Sequence, residues 1–282
     1  MEQTVYLNGD FMPLHKATIS VMDRGFLFGD AVYEVIPVYK GQPFQIKKHL
    51  ERLLNSMRCI RLESPYSIDE WVHIIETLLE KTHITPLMMV YLQVTRGAPE
   101  VRSHTFDGDL TPTVFIKCDA VSTEHHDEGA TAITVQELRW GRCDIKTTNL
   151  LANTLMQQRA KDAGAIEAII LKEGRVIEGT SSNVFIVKEG CVKTPALSEG
   201  LLNGVTRQCI VDLATKQGIS IEETTLLESD LYDADEVWLT GSRKEIVPII
   251  SIDGTVIGEG QPGPLFQKMI QWYRERISHL TT

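Results

Sequence analysis

Two consecutive stretches, Ala168-Ile169-Ile170-Leu171-Lys172-Glu173-Gly174-Arg175-Val176-Ile177-Glu178-Gly179 and Thr180-Ser181-Ser182-Asn183-Val184-Phe185-Ile186-Val187-Lys188-Glu189-Gly190, decide the fold. Ala168 to Leu171 reads as a strand that turns at Glu173-Gly174 into Val176 and Ile177. Val184 to Val187 reads as another, turning at Glu189-Gly190. A helix at about 149–163 precedes these hairpins, and Gly204-Val205-Thr206 opens a further helix that Gly218 stops. Strands and helices therefore interleave irregularly rather than as a strict βαβ series, which predicts an α+β fold and not a doubly wound sheet.

Working toward the N-terminus, Thr131 to Leu138 and Thr113 to Cys118 read as strands. Met88 to Thr95 reads as one more, with Val90, Leu92 and Val94 on one face. Ile46, Leu50, Leu53, Leu54 and Met57 recur at helical spacing. Ser67 with Glu70 makes a capping box ahead of Val72, Ile75 and Leu79. The polar run Ser122-Thr123-Glu124-His125-His126-Asp127-Glu128 has no apolar period and reads as part of a linker. The expected organisation is a smaller N-terminal domain over 1–118, a linker over 119–130 and a larger C-terminal domain over 131–282.

At 282 residues, one large or two modest domains are expected, and the 43% hydrophobic and 23% charged fractions are those of an ordinary globular protein. No apolar run approaches the roughly 20 residues needed to span a bilayer. The start, Met1-Glu2-Gln3-Thr4, lacks the basic and apolar regions of a secretory signal, so the cytoplasm is expected. A net charge of −10 argues against nucleic acid or an anionic membrane as a partner. Five scattered cysteines without a CxxC pair argue against a disulfide framework or a structural zinc. His125-His126-Asp127-Glu128 are adjacent in a polar loop and cannot all converge on a metal, so no metal site is expected. Ser181 and Ser182 do not sit in a GxSxG elbow, and no serine hydrolase is expected.

Four features become informative together. Lys146, in Cys143-Asp144-Ile145-Lys146-Thr147-Thr148-Asn149, stands where a strand region meets a helix, although a single lysine is ordinarily a solvated charge. Glu178 ends an apolar strand, where the plain reading is a turn carboxylate. Arg52 lies on the amphipathic helix, where the plain reading is a solvated face, and Gly204-Val205-Thr206 offers the amides of a helix N-terminus to an anion.

With these stand Asp23-Arg24-Gly25-Phe26-Leu27-Phe28-Gly29-Asp30-Ala31-Val32-Tyr33-Glu34-Val35, His49-Leu50-Glu51-Arg52-Leu53, Leu201-Leu202-Asn203-Gly204-Val205-Thr206-Arg207 and Thr240-Gly241-Ser242-Arg243-Lys244-Glu245. On these motifs the chain resembles the two-domain, fold-type IV pyridoxal-phosphate enzymes over essentially its whole length. The resemblance implies that Lys146 holds pyridoxal 5'-phosphate as a Schiff base and then shuttles the Cα proton. It also implies that Glu178 keeps the pyridine nitrogen protonated. Arg52, the amides of Val205 and Thr206, the Thr206 hydroxyl and Ser242 would grip the phosphate.

Within that family the chain is most similar to the D-amino acid aminotransferases. Arg102-Ser103-His104 resembles the element that binds the substrate α-carboxylate there, and Tyr33 matches the third member of the trap. The implied reaction takes D-alanine and 2-oxoglutarate to pyruvate and D-glutamate, in a homodimer whose Arg-x-His element reaches the neighbouring site. The chain departs from the pattern in two places. The stretch Gly97 to Val101 is one residue longer than usual, and Arg243 replaces a smaller residue. Arg243 either enters the substrate pocket and favours acidic substrates or salt-bridges outward. The alternatives within the family are branched-chain aminotransferase and aminodeoxychorismate lyase, and outside enzymes a cofactor-binding protein without turnover.

Overall fold

Val90, Leu92 and Val94 are fully buried along one face of a nine-residue strand, as their alternation predicts. The computed structural model describes residues 2–106, 110–122 and 126–280. The chain divides into two units, Met1–Thr123 with Ile145–Asn149 and Glu124–Asp144 with Leu150–Leu280.

The first unit contains β1 (Thr4–Leu7), β2 (Asp10–Pro13), α1 (Arg24–Phe28), β3 (Ala31–Tyr39), β4 (Gln42–Pro43), α2 (Ile46–Cys59), α3 (Ile68–Glu80), β5 (Leu87–Thr95) and β6 (Thr113–Ala120). Among the described residues its strands form one six-stranded antiparallel sheet in the order β2-β1-β6-β5-β3-β4. β3 and β5 pair from Ala31↔Thr95 to Tyr39↔Leu87, so Val32, Glu34 and Ile36 share a face with Val94, Leu92 and Val90. That face packs on Leu50, Leu53 and Met57 of α2 and on Trp71, Ile75 and Leu78 of α3. Removing one such leucine side chain costs about 2–5 kcal/mol. The Ser67–Glu70 capping box forms, with Glu70 N donating to Ser67 Oγ at 3.3 Å and Ser67 N to Glu70 Oε2 at 2.7 Å.

The second unit contains β7 (Ala130–Gln136), α4 (Leu151–Asp162), β8 (Glu167–Lys172), β9 (Arg175–Gly179), β10 (Asn183–Lys188), β11 (Cys191–Pro195), α5 (Val205–Lys216), β12 (Ile221–Thr224), α6 (Glu228–Tyr232), β13 (Glu236–Gly241), β14 (Glu245–Ile252), β15 (Thr255–Val256) and α7 (Pro264–Ser278). Its sheet runs β12-β11-β10-β13-β14-β7-β8-β9, with β15 on β14. Both hairpin turns take positive φ at their two central residues, 53° and 73° at Glu173-Gly174 and 51° and 76° at Glu189-Gly190. That is the primed turn whose twist suits a two-residue hairpin. Parallel pairs join β7 to β8, β7 to β14 and β11 to β12, so the sheet is mixed and the architecture α+β.

Residues 145–149 pack with the first unit, inside the stretch that sequence reading assigns to the C-terminal domain. The cause is local pairing: Tyr33 N donates to Lys146 O at 3.0 Å and Thr148 N to Ala31 O at 3.1 Å. β6 likewise runs on to Ala120, into the stretch read as linker. Of the polar run, residues 123–125, His125 included, lie outside the described residues. Asp127 receives Arg274 Nη1 at 2.7 Å and Nη2 at 2.8 Å. Among the described residues no group of three His, Cys, Asp or Glu side chains could hold a metal ion, and no helix is long and apolar enough to cross a membrane.

Candidate active site

Lys146 stands on a backbone staple rather than in a regular element. Besides the bond from Tyr33, its own N–H donates to Ser56 Oγ at 3.3 Å, Val32 and Thr147 form an isolated bridge, and Ile145 is buried in the core. Gly29, at φ 67°, ends α1 in the left-handed region, and a Cβ there would collide with Asn149 Oδ1. These contacts fix the main chain, and the amine projects over the Tyr33 ring, 4.2 Å from its centroid. A desolvated cation over an aromatic face is attracted by the ring quadrupole. Tyr91 lies beside Tyr33 at 5.8 Å between centroids. Burial, then the charge of Tyr33, pushes the Tyr91 phenol up to about 12.

On the opposite face of β3, Glu34 enters the core. Arg52 Nε and Nη2 donate to its two oxygens at 2.7 and 2.8 Å, and His49 Nδ1 lies 2.8 Å from Oε2. Glu34 is wholly buried, His49 nearly so and Arg52 mostly so. Burial alone would push the Glu34 carboxyl up, but the charge and bonds of Arg52, helped by His49, hold it far below the usual carboxylate range. Burial lowers His49, and the charges of Arg52 and Lys146 lower it further against the pull of Glu34. A neutral ring facing an ionised acceptor carries its proton on Nδ1. The Arg52 fork, which the resemblance assigns to a phosphate, thus also grips Glu34.

Arg102 and His104 are exposed and gather on Phe28, Arg102 Cζ 4.6 Å and the His104 ring 5.5 Å from its centroid. Among the described residues no hydrogen bond joins either to Tyr33 or Lys146. Their loop is held from beneath by Arg24, which donates Nη1 to Ser103 O at 2.6 Å and to Thr105 O at 3.2 Å, and Nη2 to His104 O at 3.2 Å. Asp30 fixes Arg24 and Arg96 together at 2.8 Å each, and Arg96 stacks on Phe106. The Arg24→Lys variant keeps a charge opposite Asp30 but loses the planar fork. Each lost charged bond is worth about 1.5 kcal/mol or more, so opening of residues 98–106 should rise at least about tenfold. Hydrogen exchange of that peptide measures it; unchanged protection would mean that the Arg96–Phe106 stack holds the loop without Arg24.

In the second unit, Glu178 near the end of β9 is buried and fully engaged. Arg139 Nη1 donates to Oε1 at 2.5 Å, Leu202 N to Oε2 at 3.0 Å and Asn183 Nδ2 to Oε2 at 3.4 Å. Asn183 Nδ2 also donates to Leu202 O at 2.8 Å. A Cβ at Gly204 would strike Asn183 Oδ1, so glycine is what lets the loop before α5 close on this group. Gly204 caps α5 without a side chain, and Val205 and Thr206 open the helix, both buried. The amides of a first helical turn have no intrahelical acceptor and favour an anion. Ser242 is half-buried; Arg243 is exposed and, among the described residues, forms no ion pair. Its neighbour Lys244 pairs with buried Glu167, which also accepts Ser181 N at 2.6 Å and so holds the turn after β9.

Glu34, His49, Arg139, Glu137 and the Glu167–Lys244 pair escape a reading of the sequence. Glu34 carries a signal, since an ionisable residue on the apolar face of Val32 to Ile36 must have a buried partner. Arg139 carries none, because its partner Glu178 is 39 residues away.

The family model described as amino-transferase class IV matches residues 31–252. A D-alanine aminotransferase of Listeria monocytogenes is 38% identical over 278 residues, covering 97% of this chain and 96% of that protein. The D-alanine aminotransferase of Bacillus licheniformis is 39% identical over 264 residues, covering 93% and 92%. Among solved structures, the branched-chain amino acid aminotransferase of Thermobaculum terrenum in its PLP-form superposes with a TM-score of 0.86 at 28% identity, covering 98% of this chain and 94% of that one.

Proposed function

The chain belongs to the class IV amino-transferases, and from that membership we propose that it transaminates D-amino acids with pyridoxal 5'-phosphate. The reaction converts D-alanine and 2-oxoglutarate to pyruvate and D-glutamate. The observation that carries this reading is the Lys146 amine, held by a rigid main chain and presented over Tyr33. The donor set fits the cofactor: a primary amine, a carboxylate with three donors around it, and an α5 N-terminus whose first amides no side chain caps.

When bound, pyridoxal phosphate supplies the electron sink for the electrons of the Cα–H bond. Lys146 Nζ would hold the cofactor aldehyde and would move the proton at the substrate Cα. Glu178 would hold the proton on the ring nitrogen. Arg52, the Val205 and Thr206 amides, the Thr206 hydroxyl and Ser242 would hold the phosphate. A guanidinium has five N–H donors, so the Glu34 pair and a phosphate contact on Arg52 are compatible.

Tyr33, Arg102 and His104 bind the α-carboxylate. The active form is a homodimer in which Arg102 and His104 serve the neighbouring site. Their exposure supports this, as does that of Val21, Phe26 and Val101, each at least 70% accessible. The five cysteines are free thiols, in keeping with a cytoplasmic location.

With its amino group and its carboxylate both fixed in place, one enantiomer alone would turn its Cα hydrogen to Lys146. The likeness to branched-chain enzymes makes an L-specific reaction the second reading. Following the cofactor absorption band after mixing with D-alanine, L-alanine and L-leucine separates them. D-alanine should react fastest; faster reaction of either L-amino acid would overturn the substrate assignment and leave the cofactor assignment standing.

A further inference from the structure

Arg139 lies between two carboxylates. Glu137 accepts its Nε at 2.9 Å, its Nη2 at 2.7 Å and its backbone N–H at 2.8 Å, while Glu178 accepts Nη1 at 2.5 Å. Gly200 O takes a further bond from Nη2 at 3.1 Å. The Arg139 and Glu178 side chains are about 5% accessible and Glu137 14%, so their charges are weakly screened. The Cys143 thiol lies among these charges, and burial, before the neighbouring charges, pushes it up, so it adds no charge. Burial alone would raise Glu137 too, but its bonds to Arg139 and then the guanidinium charge hold it low and ionised. Glu137 and Arg139 also wall a cavity of about 350 Å³ that Glu178 does not line.

The tally decides what Glu178 can offer. Arg139 and Glu178 alone sum to zero, and a carboxylate already neutralised by a guanidinium is a poor partner for a second cation. With Glu137 the cluster carries one net negative charge, which matches one protonated ring nitrogen. We propose that Glu137 is a positioning residue that acts through Arg139: it cancels the charge of the Arg139 guanidinium, so that Glu178, held as well by Leu202 N and Asn183 Nδ2, keeps a full negative charge for the proton on the cofactor ring. This rests on the reading of Glu178 as the partner of that nitrogen.

The test loads wild type and variants with pyridoxal 5'-phosphate carrying nitrogen-15 in the ring and reads the protonation state of that nitrogen by NMR. Wild type should show the protonated resonance and Glu178→Gln should lose it. Glu137→Gln should move it toward the unprotonated position although Glu178 is intact, and Glu137→Asp should retain it. Glu137→Gln combined with Arg139→Met returns the net charge to minus one and should recover the protonated resonance, which a merely structural role for Glu137 would not do. If Glu178→Gln loses the resonance while Glu137→Gln keeps it, or if the double variant stays unprotonated, the charge-balance proposal is overturned and the Glu178 reading stands. An unchanged resonance in Glu178→Gln would overturn both. If Glu137→Gln does not fold, Glu137→Asp and the double variant still decide, since each has a stated result that the proposal requires.

Discussion

Lys146→Ala abolishes turnover and leaves the first unit folded. Loss of the proton-transferring amine alone removes on the order of 10²–10⁴-fold in rate, and loss of the covalent attachment adds to that. The fold survives because Lys146 is half-buried and the contacts that hold its segment are made by its main chain, which alanine keeps. Stability should therefore change by less than about 1 kcal/mol, as for a surface truncation. The variant has a second signature. The Lys146 charge helps to depress His49, so its removal should raise the His49 titration midpoint in NMR. In the wild-type holoenzyme, borohydride reduction followed by peptide mapping should return the cofactor on Lys146. Attachment to another lysine, or turnover by Lys146→Ala within tenfold of wild type, would sink the assignment.

Replacing Glu34 by leucine is the largest expected loss of stability. It leaves Arg52 and His49 in the core opposite an apolar side chain, and breaking one partner out of a buried pair costs about 3–5 kcal/mol. Urea unfolding measures it, and a loss under about 1 kcal/mol would show that Arg52 turns to solvent at no cost. The sign with pH follows from the direction of the shift. The folded carboxyl of Glu34 lies below its unfolded value, so its contribution is complete above the unfolded pKa, about 4.3, and is lost as pH falls through the folded one. His49 is depressed as well. The unfolded state takes up its proton first as pH drops below about 6.5, which also weakens folding on the acid side. The wild type should lose stability steadily below that point, and Glu34→Leu should show a shallower decline below about pH 4 because the Glu34 contribution is already gone.

The chain is similar in sequence to a D-alanine aminotransferase and superposes on a branched-chain aminotransferase, so superposition by itself does not separate the two activities. On the proposed reading, the difference resides in which side chains receive the α-carboxylate, here Tyr33 on β3 and the Arg102–His104 loop that Arg24 pins.

The hairpins at Glu173-Gly174 and Glu189-Gly190, the Ser67–Glu70 capping box and the buried face of β5 were legible in the sequence, because each depends on residues within a few positions of one another. The family was legible too, since its motifs are short and carry their own backbone requirements, such as the left-handed Gly29. The sequence could not show that Arg52 shares its fork with Glu34, 18 residues earlier, or that Arg139 bridges Glu137 to Glu178. Nor could it show that residues 145–149 leave the second unit to pair with β3. These pairings exist only once the strands are in register, because a charge selects its partner by distance and burial, and neither is written in spacing along the chain.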